Sequence, residues 1–349
     1  LMEWVVNTWN RVSKGDYVVI ILILTVIGTI GFLEGVLAGL MASVIMFVVN
    51  YSKVQSIKYT LTGKNFHSNV ERSEKMKNII ERSGNQILIL PLQGYLFFGS
   101  ANRLIEYIKR FLETDEGREL KYLIFDLRQI AGTDSSAINS FNKLKILATT
   151  HNFRVLFCDI LTQTYTKFKS EGLFENNKRN PFMSFEDLDH GMEWCEEMII
   201  KSEEHSYKEQ KSDSMIFEQQ FPNLLPYLNE LELDKNHKII EEGSDPKGLY
   251  FIKSGKVTIE LDSQDGKRIR LKSSGAGTIV GEVSLYLNKN ATASVVTDER
   301  CEVYYLSVKN FEKLKLEAPD EAAKLHTYVI KLLSDRLTKT NNTIQALMK

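Results

Sequence analysis

The chain contains the run YLIFDLRQIAGTDSSA at residues 122–137. Its first four residues, Tyr122 to Phe125, form an uninterrupted apolar run, which is typical of a buried strand. Asp134 and the two serines after it are residue types that begin helices, because their side chains accept hydrogen bonds from unpaired helical N–H groups. A strand, a short loop and a helix make one unit of an α/β sheet.

Similar units lie on both sides of this run. Apolar runs that predict strands alternate with 3.6-residue apolar spacing that predicts helices. The predicted strands are Ile87–Leu92, Tyr95–Phe98, Tyr122–Phe125, Arg154–Cys158 and Phe182–Phe185. Residues 51–200 are therefore predicted to form an α/β domain with a mixed sheet and covering helices.

The pattern changes after a charged segment, residues 201–214, that has no aliphatic side chain and is predicted to be a linker. Short strands separated by glycine turns then follow, which is typical of an antiparallel β-roll or jelly roll. They are Lys238–Ile240, Leu249–Ile252, Lys256–Leu261, Arg268–Leu271 and Cys301–Leu306. Residues 215–349 are predicted to form this β-roll with C-terminal helices.

The N-terminal region is apolar from Val18 to Val49, with Glu34 as its only charge. One helix of this length would reach about 48 Å, whereas a hydrocarbon core is about 30 Å thick and two full spans need about 40 residues. Glycines around Glu34 predict a break. The fold therefore includes a predicted short transmembrane helical hairpin at residues 17–50, with basic flanks that place both ends in the cytoplasm. The alternative is a single tilted anchor.

An interfacial amphipathic helix is predicted at residues 1–16, where Trp4 and Trp9 lie beside Arg11 and Lys14. Glu34 is either a carboxylate of a transport pathway or a structural residue that lies near water at the hairpin tip or caps the second helix. Because the chain begins at Leu1 within a helix-like stretch, we expect the natural protein to continue upstream. A short membrane hairpin is tolerated only when protein surrounds it, which implies a larger transmembrane body.

The first two regions together resemble a known family. Asp126 followed by Asp134-Ser135-Ser136-Ala137 is similar to the loop and helix of STAS domains, and Gly94–Ala101 resembles the opening of the STAS domain in SulP transporters. The hairpin around Gly31–Gly39 resembles the last membrane elements of the same family. The resemblance implies a secondary transporter of inorganic anions, of the sulfate or bicarbonate class.

In that reading the protein is an integral membrane protein whose STAS and C-terminal domains are cytoplasmic. The resemblance implies a homodimer, coupled through STAS to its own upstream transmembrane domain, with the anion bound there. In bacterial members of the STAS family the second serine, here Ser136, is phosphorylated. Asp134 and Ser135 either serve such a phosphosite or only cap the helix. A membrane-tethered signalling protein that uses both domains as binding modules is the alternative function.

The last region resembles the cyclic-nucleotide-binding domain through Gly248–Val257 and through Gly281-Glu-Val-Ser-Leu285. The resemblance implies that Glu282 accepts the ribose 2′-hydroxyl, while Gly281 and Ser284 supply donors. Asn290-Ala291 replaces the Pro-Arg of the family, so the arginine that pairs with the cyclic phosphate is missing. Thr292 and Ser294 remain as neutral donors. We therefore expect no cofactor and a roll that is retained for contacts between domains, with binding of cAMP or cGMP as the alternative.

Composition argues against several other functions. The 44 basic and 45 acidic residues give a net charge of −1, which offers no general attraction to nucleic acid. Three isolated cysteines and six scattered histidines show no metal-ligand spacing. Since we find no nucleophile motif or phosphate loop, we expect a protein that is not an enzyme and holds no metal.

Overall fold

The computed structural model describes residues 14–52, 56–175, 177, 179–206, 217–218, 220–262 and 268–348. The predicted interfacial helix lies outside the described residues up to position 13. The predicted linker lies outside them from position 207 onward.

Two helices begin the described chain, α1 (Lys14–Thr29) and α2 (Phe32–Ser52). They are separated at Ile30 and Gly31, where the glycine pattern predicts a break. The helices pack against each other closely, because a Cβ atom at Gly35 or Gly39 would overlap the side chain of Ile27 or Ile23.

The predicted transmembrane hairpin is wrong. Within the described residues, no helix combines the length and the apolar character needed to cross a bilayer. The break at Gly31 divides the apolar run, so that α1 has 16 residues and is about 24 Å long, shorter than a hydrocarbon core of about 30 Å. Glu34 lies exposed in the first turn of α2.

The first domain alternates strands and helices as predicted. Its elements are β1 (Leu61–Thr62), β2 (Val70–Glu71), α3 (Glu74–Ser83), β3 (Ile87–Leu96), α4 (Phe98–Leu112), α5 (Asp115–Arg118), β4 (Tyr122–Thr133), α6 (Ser135–Thr150), β5 (Arg154–Cys158), α7 (Thr162–Ser170), β6 (Phe182–Phe185) and α8 (Leu188–Ser206).

A mixed sheet with the order β1-β3-β4-β5-β6 forms the centre of this domain. Strands β3 to β6 run parallel and β1 pairs antiparallel with β3. Helices cover both faces: Ile108, Phe141 and Phe168 pack on one side, Met192 and Ile199 on the other. The fold therefore agrees with the predicted α/β class in this region.

One difference concerns the strands predicted separately at Ile87–Leu92 and Tyr95–Phe98. They form a single strand, β3, whose register against β4 shifts on both sides of Gly94. Gly94 has a φ of +82°, a conformation that favours glycine. The irregularity therefore bends the strand without ending it, and Phe98 already belongs to α4.

The second domain is a β-roll followed by two helices. Its elements are β7 (Asn229–Leu233), β8 (Lys238–Ile240), β9 (Gly248–Ser254), β10 (Lys256–Asp262), β11 (Arg268–Gly275), β12 (Ile279–Val280), α9 (Glu282–Leu287), β13 (Ser294–Thr297), β14 (Cys301–Ser307), α10 (Val308–Glu317) and α11 (Pro319–Met348). Two short 3₁₀-helices lie at Gly84–Gln86 and Leu225–Tyr227.

The roll consists of two sheets, one of which extends into the first domain. The order β12-β9-β14-β7 describes one sheet, and β2-β11-β10-β13-β8 the other. Strand β2, which lies between β1 and β3 in sequence, pairs parallel with β11, Val70 against Ser273 and Glu71 against Ser274. This strand pairing joins the two domains through the backbone.

Candidate functional site

The residues predicted to form a nucleotide cassette begin where β12 turns into α9. Gly281 has a φ of +91°, and a Cβ atom at this position would lie 2.5 Å from the carbonyl oxygen of Gly248. The close approach of the two backbones therefore requires glycine here. It places Glu282 at the start of α9, facing inward with only 5% of its side chain exposed.

Glu282 forms an ion pair with Arg336 of the C-terminal helix α11. The guanidinium also donates from Nη2 to the carbonyl oxygen of Ile279, at 3.1 Å. The helix is thus fastened to both sides of the turn that carries Gly281. Arg336 is not among the predicted site residues.

The same guanidinium reaches into the first domain. Its Nε donates to Oε1 of Glu71 at 2.9 Å and its Nη2 donates to Oε2 at 2.7 Å. This bidentate geometry fixes the relative orientation of the guanidinium and the carboxylate. Lys272 of β11 also pairs with Glu71, at 2.6 Å. Burial raises the pKa of Glu71, but hydrogen bonds and charge from Arg336 and Lys272 outweigh this effect, so its pKa lies below the ordinary value.

The positions that would contact a phosphate are tied into the protein. The Asn290 side chain donates to the carbonyl oxygen of Gly243 at 2.7 Å. Ala291 is 7% exposed and exchanges backbone hydrogen bonds with the turn at Gly243 and Ser244. This segment therefore holds a turn in place and carries no cation at the position of the family's arginine.

The remaining predicted donors differ in accessibility. The Ser284 hydroxyl donates to the carbonyl oxygen of Gly281 at 3.3 Å, and the buried Ser294 hydroxyl accepts from the backbone N–H of Glu242 at 3.0 Å. Thr292 is exposed. Of the predicted pocket residues, Gly281, Glu282 and Ser284 share one turn, whereas Ser294 begins β13 and Thr292 lies two residues before it.

A second group of charges crosses the domain interface next to β2. Arg270 of β11 lies 2.5 Å from Oε2 of Glu193 and 3.2 Å from Oδ2 of Asp189, both on α8. Lys256 of β10 also pairs with Glu193. Asp189 accepts from the backbone N–H of Asn69 at 2.6 Å. Acidic residues of α8 are thus matched by basic residues of the roll.

A third buried pair lies on the first-domain side of this interface. Glu196 of α8 is fully buried and lies 2.5 Å from Nη1 of Arg72, immediately after β2. It also accepts from the backbone N–H of Ser68 at 3.0 Å. Burial raises the pKa of Glu196, yet hydrogen bonds from His67 and Ser68 and the charge of Arg72 bring it below the ordinary value. The β2 segment is therefore anchored to α8.

The predicted STAS loop lies between the end of β4 and the start of α6. Asp134 accepts at Oδ1 from the backbone N–H of Ala137 at 2.9 Å, which is a helix cap. The Ser136 hydroxyl donates to the same carboxylate at 2.7 Å and accepts from the backbone N–H of Phe98 at 3.0 Å. Ser135 is exposed.

Comparison with known families agrees with this description. The profile of the STAS domain matches residues 78–188, and that of the cyclic nucleotide-binding domain matches residues 230–317. The chain contains a STAS domain and a cyclic nucleotide-binding domain. Both are domains of regulatory or binding type, so they are consistent with a regulatory role. The SulP part of the predicted resemblance is not shown by either profile.

Curated relatives place these domains in several kinds of protein. The vacuolar basic amino acid transporter of Saccharomyces cerevisiae is 30% identical over 208 residues, which cover 57% of this chain and 20% of the transporter. Glutaminase 1 of Bradyrhizobium diazoefficiens is 23% identical, with 82% of this chain and 46% of the glutaminase covered. The cAMP-dependent protein kinase type II regulatory subunit of Drosophila melanogaster is 33% identical over 26% of this chain and 24% of its own length. The chain spans less than half of each relative.

Proposed function

We propose that this chain is the regulatory region of a SulP-type secondary transporter. The observation that carries the proposal is the pairing of a STAS domain with a transporter relative that is 30% identical over more than half of the chain. In this proposal the STAS domain transmits regulation to a transport body in the same protein. The cyclic nucleotide-binding domain modulates the STAS domain through the interface between them.

The interface between the two domains supports such a role. The β2–β11 pairing and the charges of Arg270 and Glu193 join the domains through buried or half-buried groups. A change in the roll therefore has a direct route to α8 and β2 of the STAS domain. A flexible tether between independent domains would offer no such route.

The substrate class is the part of the proposal that uptake experiments test. We expect cells that lack the gene for this chain to lose uptake of labelled sulfate or bicarbonate, and a gene copy that carries the Arg270→Ala change to restore uptake incompletely. The basic amino acids lysine and arginine belong in the same assay, because the yeast relative is named for them. Unchanged uptake of all these solutes in the deletion strain would contradict the proposal.

A second candidate function is regulation of a protein that is not a transporter. It is favoured by the match to glutaminase 1, which extends over 82% of this chain and so over both domains. In that case the two domains would modulate an enzyme or a signalling protein. Purification of the native protein and identification of its full length separate the two candidates. Recovery from the membrane fraction supports the transporter, and recovery from the aqueous fraction supports the second candidate.

We further propose that the roll binds cAMP and cGMP weakly. Asn290 and Ala291 supply no charge where a cyclic phosphate would lie, and loss of one partner of a buried charge pair typically costs about 2–5 kcal/mol. Glu282 is already paired with Arg336. Calorimetric titration of the intact chain tests this directly: we expect dissociation constants well above micromolar, and tight binding would contradict it.

Ser136 is proposed to act through the cap of α6. Its hydroxyl donates to Asp134 and accepts from the backbone N–H of Phe98, so a phosphate in place of the hydroxyl proton would lose the bond to Asp134 and lie beside that carboxylate. Phosphopeptide mapping of the native protein tests this proposal. Stoichiometric phosphate on Ser136 would support the alternative, a phosphorylation-switched binding protein.

A further inference from the structure

Arg336 is the point where three parts of the molecule meet. It lies in α11, 54 positions from Glu282 and 265 positions from Glu71, and it donates to both carboxylates. These two glutamates are 5% and 6% exposed, whereas the arginine is 24% exposed. One guanidinium therefore holds the cassette turn, the C-terminal helix and a strand of the STAS side together.

The charges of this cluster balance. Glu71 and Glu282 contribute two negative charges, and Arg336 and Lys272 contribute two positive charges. A neutral cluster has little remaining attraction for an added anion. A ligand that engages Glu282 must instead offer a hydrogen-bond donor, and the donors of a cyclic nucleotide's ribose are hydroxyl groups.

A hydroxyl donor competes with Arg336 for Glu282 at a disadvantage. Both donors make a charge-assisted hydrogen bond to the carboxylate, but the guanidinium also carries a positive charge that attracts the nearly buried Glu282. The guanidinium is also held in position by Glu71 and by the carbonyl oxygen of Ile279, so little freedom is lost when it contacts Glu282.

We propose that Arg336 is a latch: it occupies the carboxylate of Glu282 in the ligand-free chain, and a ribose-bearing ligand that takes Glu282 must loosen the hold of α11 on Glu71. The proposal rests on the weak nucleotide site proposed above and adds its regulation. The latch makes ligand binding and the attachment of β2 mutually dependent, because one side chain serves both.

Calorimetric titration of the intact 349-residue chain with cAMP and cGMP tests the latch. Arg336→Gln removes the competing charge, and we expect it to lower the dissociation constant about tenfold, because a neutral amide holds the carboxylate less strongly than the guanidinium does. Arg336→Lys keeps the charge without the fork, so we expect an intermediate gain and an intact fold. The matched control is Lys331→Gln, an exposed change on the same helix, for which we expect no effect.

Hydrogen exchange tests the connection to the STAS side. In the unaltered chain, saturating cAMP is expected to accelerate exchange at Val70 and Glu71, and at the amide of Ser273, which donates to the carbonyl oxygen of Asn69 at 2.9 Å. In Arg336→Gln the same amides are expected to exchange fast with or without nucleotide.

The outcomes separate this proposal from the transporter proposal. Equal nucleotide affinity in Arg336→Gln and Lys331→Gln would overturn the latch, as would the absence of binding in every variant at millimolar nucleotide. Binding without a change in exchange at β2 would overturn its connection to the STAS side. None of these results affects solute uptake in the deletion strain, so a failure of the latch and a failure of the transporter proposal are distinguishable.

Discussion

Arg336 donates two hydrogen bonds to Glu71, one from Nε at 2.9 Å and one from Nη2 at 2.7 Å, although the two residues lie in different domains. This pair fastens the C-terminal helix of the cyclic nucleotide-binding domain to the strand β2 that the STAS side contributes. The β2–β11 strand pairing and this side-chain pair therefore both join the two domains.

Glu71→Gln is expected to destabilise the chain at neutral pH. The change leaves Arg336 and Lys272 with one carboxylate fewer, and breaking a buried ion pair costs about 3–5 kcal/mol, which partial exposure of both cations reduces. Thermal unfolding measures the loss. The control is Glu74→Gln, whose side chain is 76% exposed and for which we expect a change within about 0.5 kcal/mol.

The destabilisation by Glu71→Gln should depend on pH. Because the pKa of Glu71 is lower in the folded chain, its contribution is fully present above the ordinary glutamate pKa of about 4.3 and is lost as pH falls through the lowered value. The difference in melting temperature between the unaltered chain and Glu71→Gln should therefore be constant from pH 6 to 8 and shrink in acid below about pH 4. A difference of equal size at every pH would contradict the assigned ion pairs.

Arg270→Ala is expected to weaken the interface. Removal of this guanidinium takes away a positive charge that Glu193 and Asp189 share. We expect the free energy of unfolding, measured with denaturant, to fall by about 2 kcal/mol. Arg268→Ala, two positions away on the same strand and 61% exposed, should change the free energy of unfolding by less than about 0.5 kcal/mol. Equal effects of the two changes would show that the Arg270 contacts contribute nothing specific.

Much of this fold follows from short-range sequence pattern. Arg154–Cys158, Phe182–Phe185 and Lys238–Ile240 are predicted with the bounds that the structure has, because each is a compact run between turn residues. The break near Gly31 is also predicted, whereas the membrane crossing built on it is wrong. Composition indicates that a segment is apolar, but the position of a helix break sets the length of each helix.

The interface could not be predicted from local pattern. Strand β2 has two residues in a polar segment, and its partner Ser273 lies about 200 positions later, so no periodicity marks it. For the same reason Glu282 is identified as a site residue from its motif, while Arg336, which pairs with it, is not. Opposite charges at long separation in sequence give no signal until the fold brings them together.

Asp134→Ala should reveal how much the cap contributes to the STAS domain. Loss of a helix cap of this kind costs about 1 kcal/mol, and here the Ser136 hydroxyl loses its acceptor as well. Urea unfolding should show a lower midpoint with an unchanged slope. Ser135→Ala is the control, since Ser135 is exposed, and a comparable loss in that variant would argue against the cap.

Gly281→Ala should damage the cassette more than Gly243→Ala damages its turn. Both glycines have positive φ values, +91° and +78°, so alanine is strained by about 1–2 kcal/mol at either position. Only at Gly281 would the new Cβ also meet a backbone atom, the carbonyl oxygen of Gly248. Thermal unfolding of both variants measures the difference, and equal losses would contradict the close approach of the two backbones.

Differential scanning calorimetry of the intact chain tests most directly whether the two domains unfold as one unit. The structure predicts that the STAS domain and the β-roll unfold in one cooperative transition, and that Arg270→Ala broadens or splits it. Two separate transitions in the unaltered chain, with the roll's transition unmoved by Arg270→Ala, would contradict a coupled pair of domains and leave two independent modules on one chain.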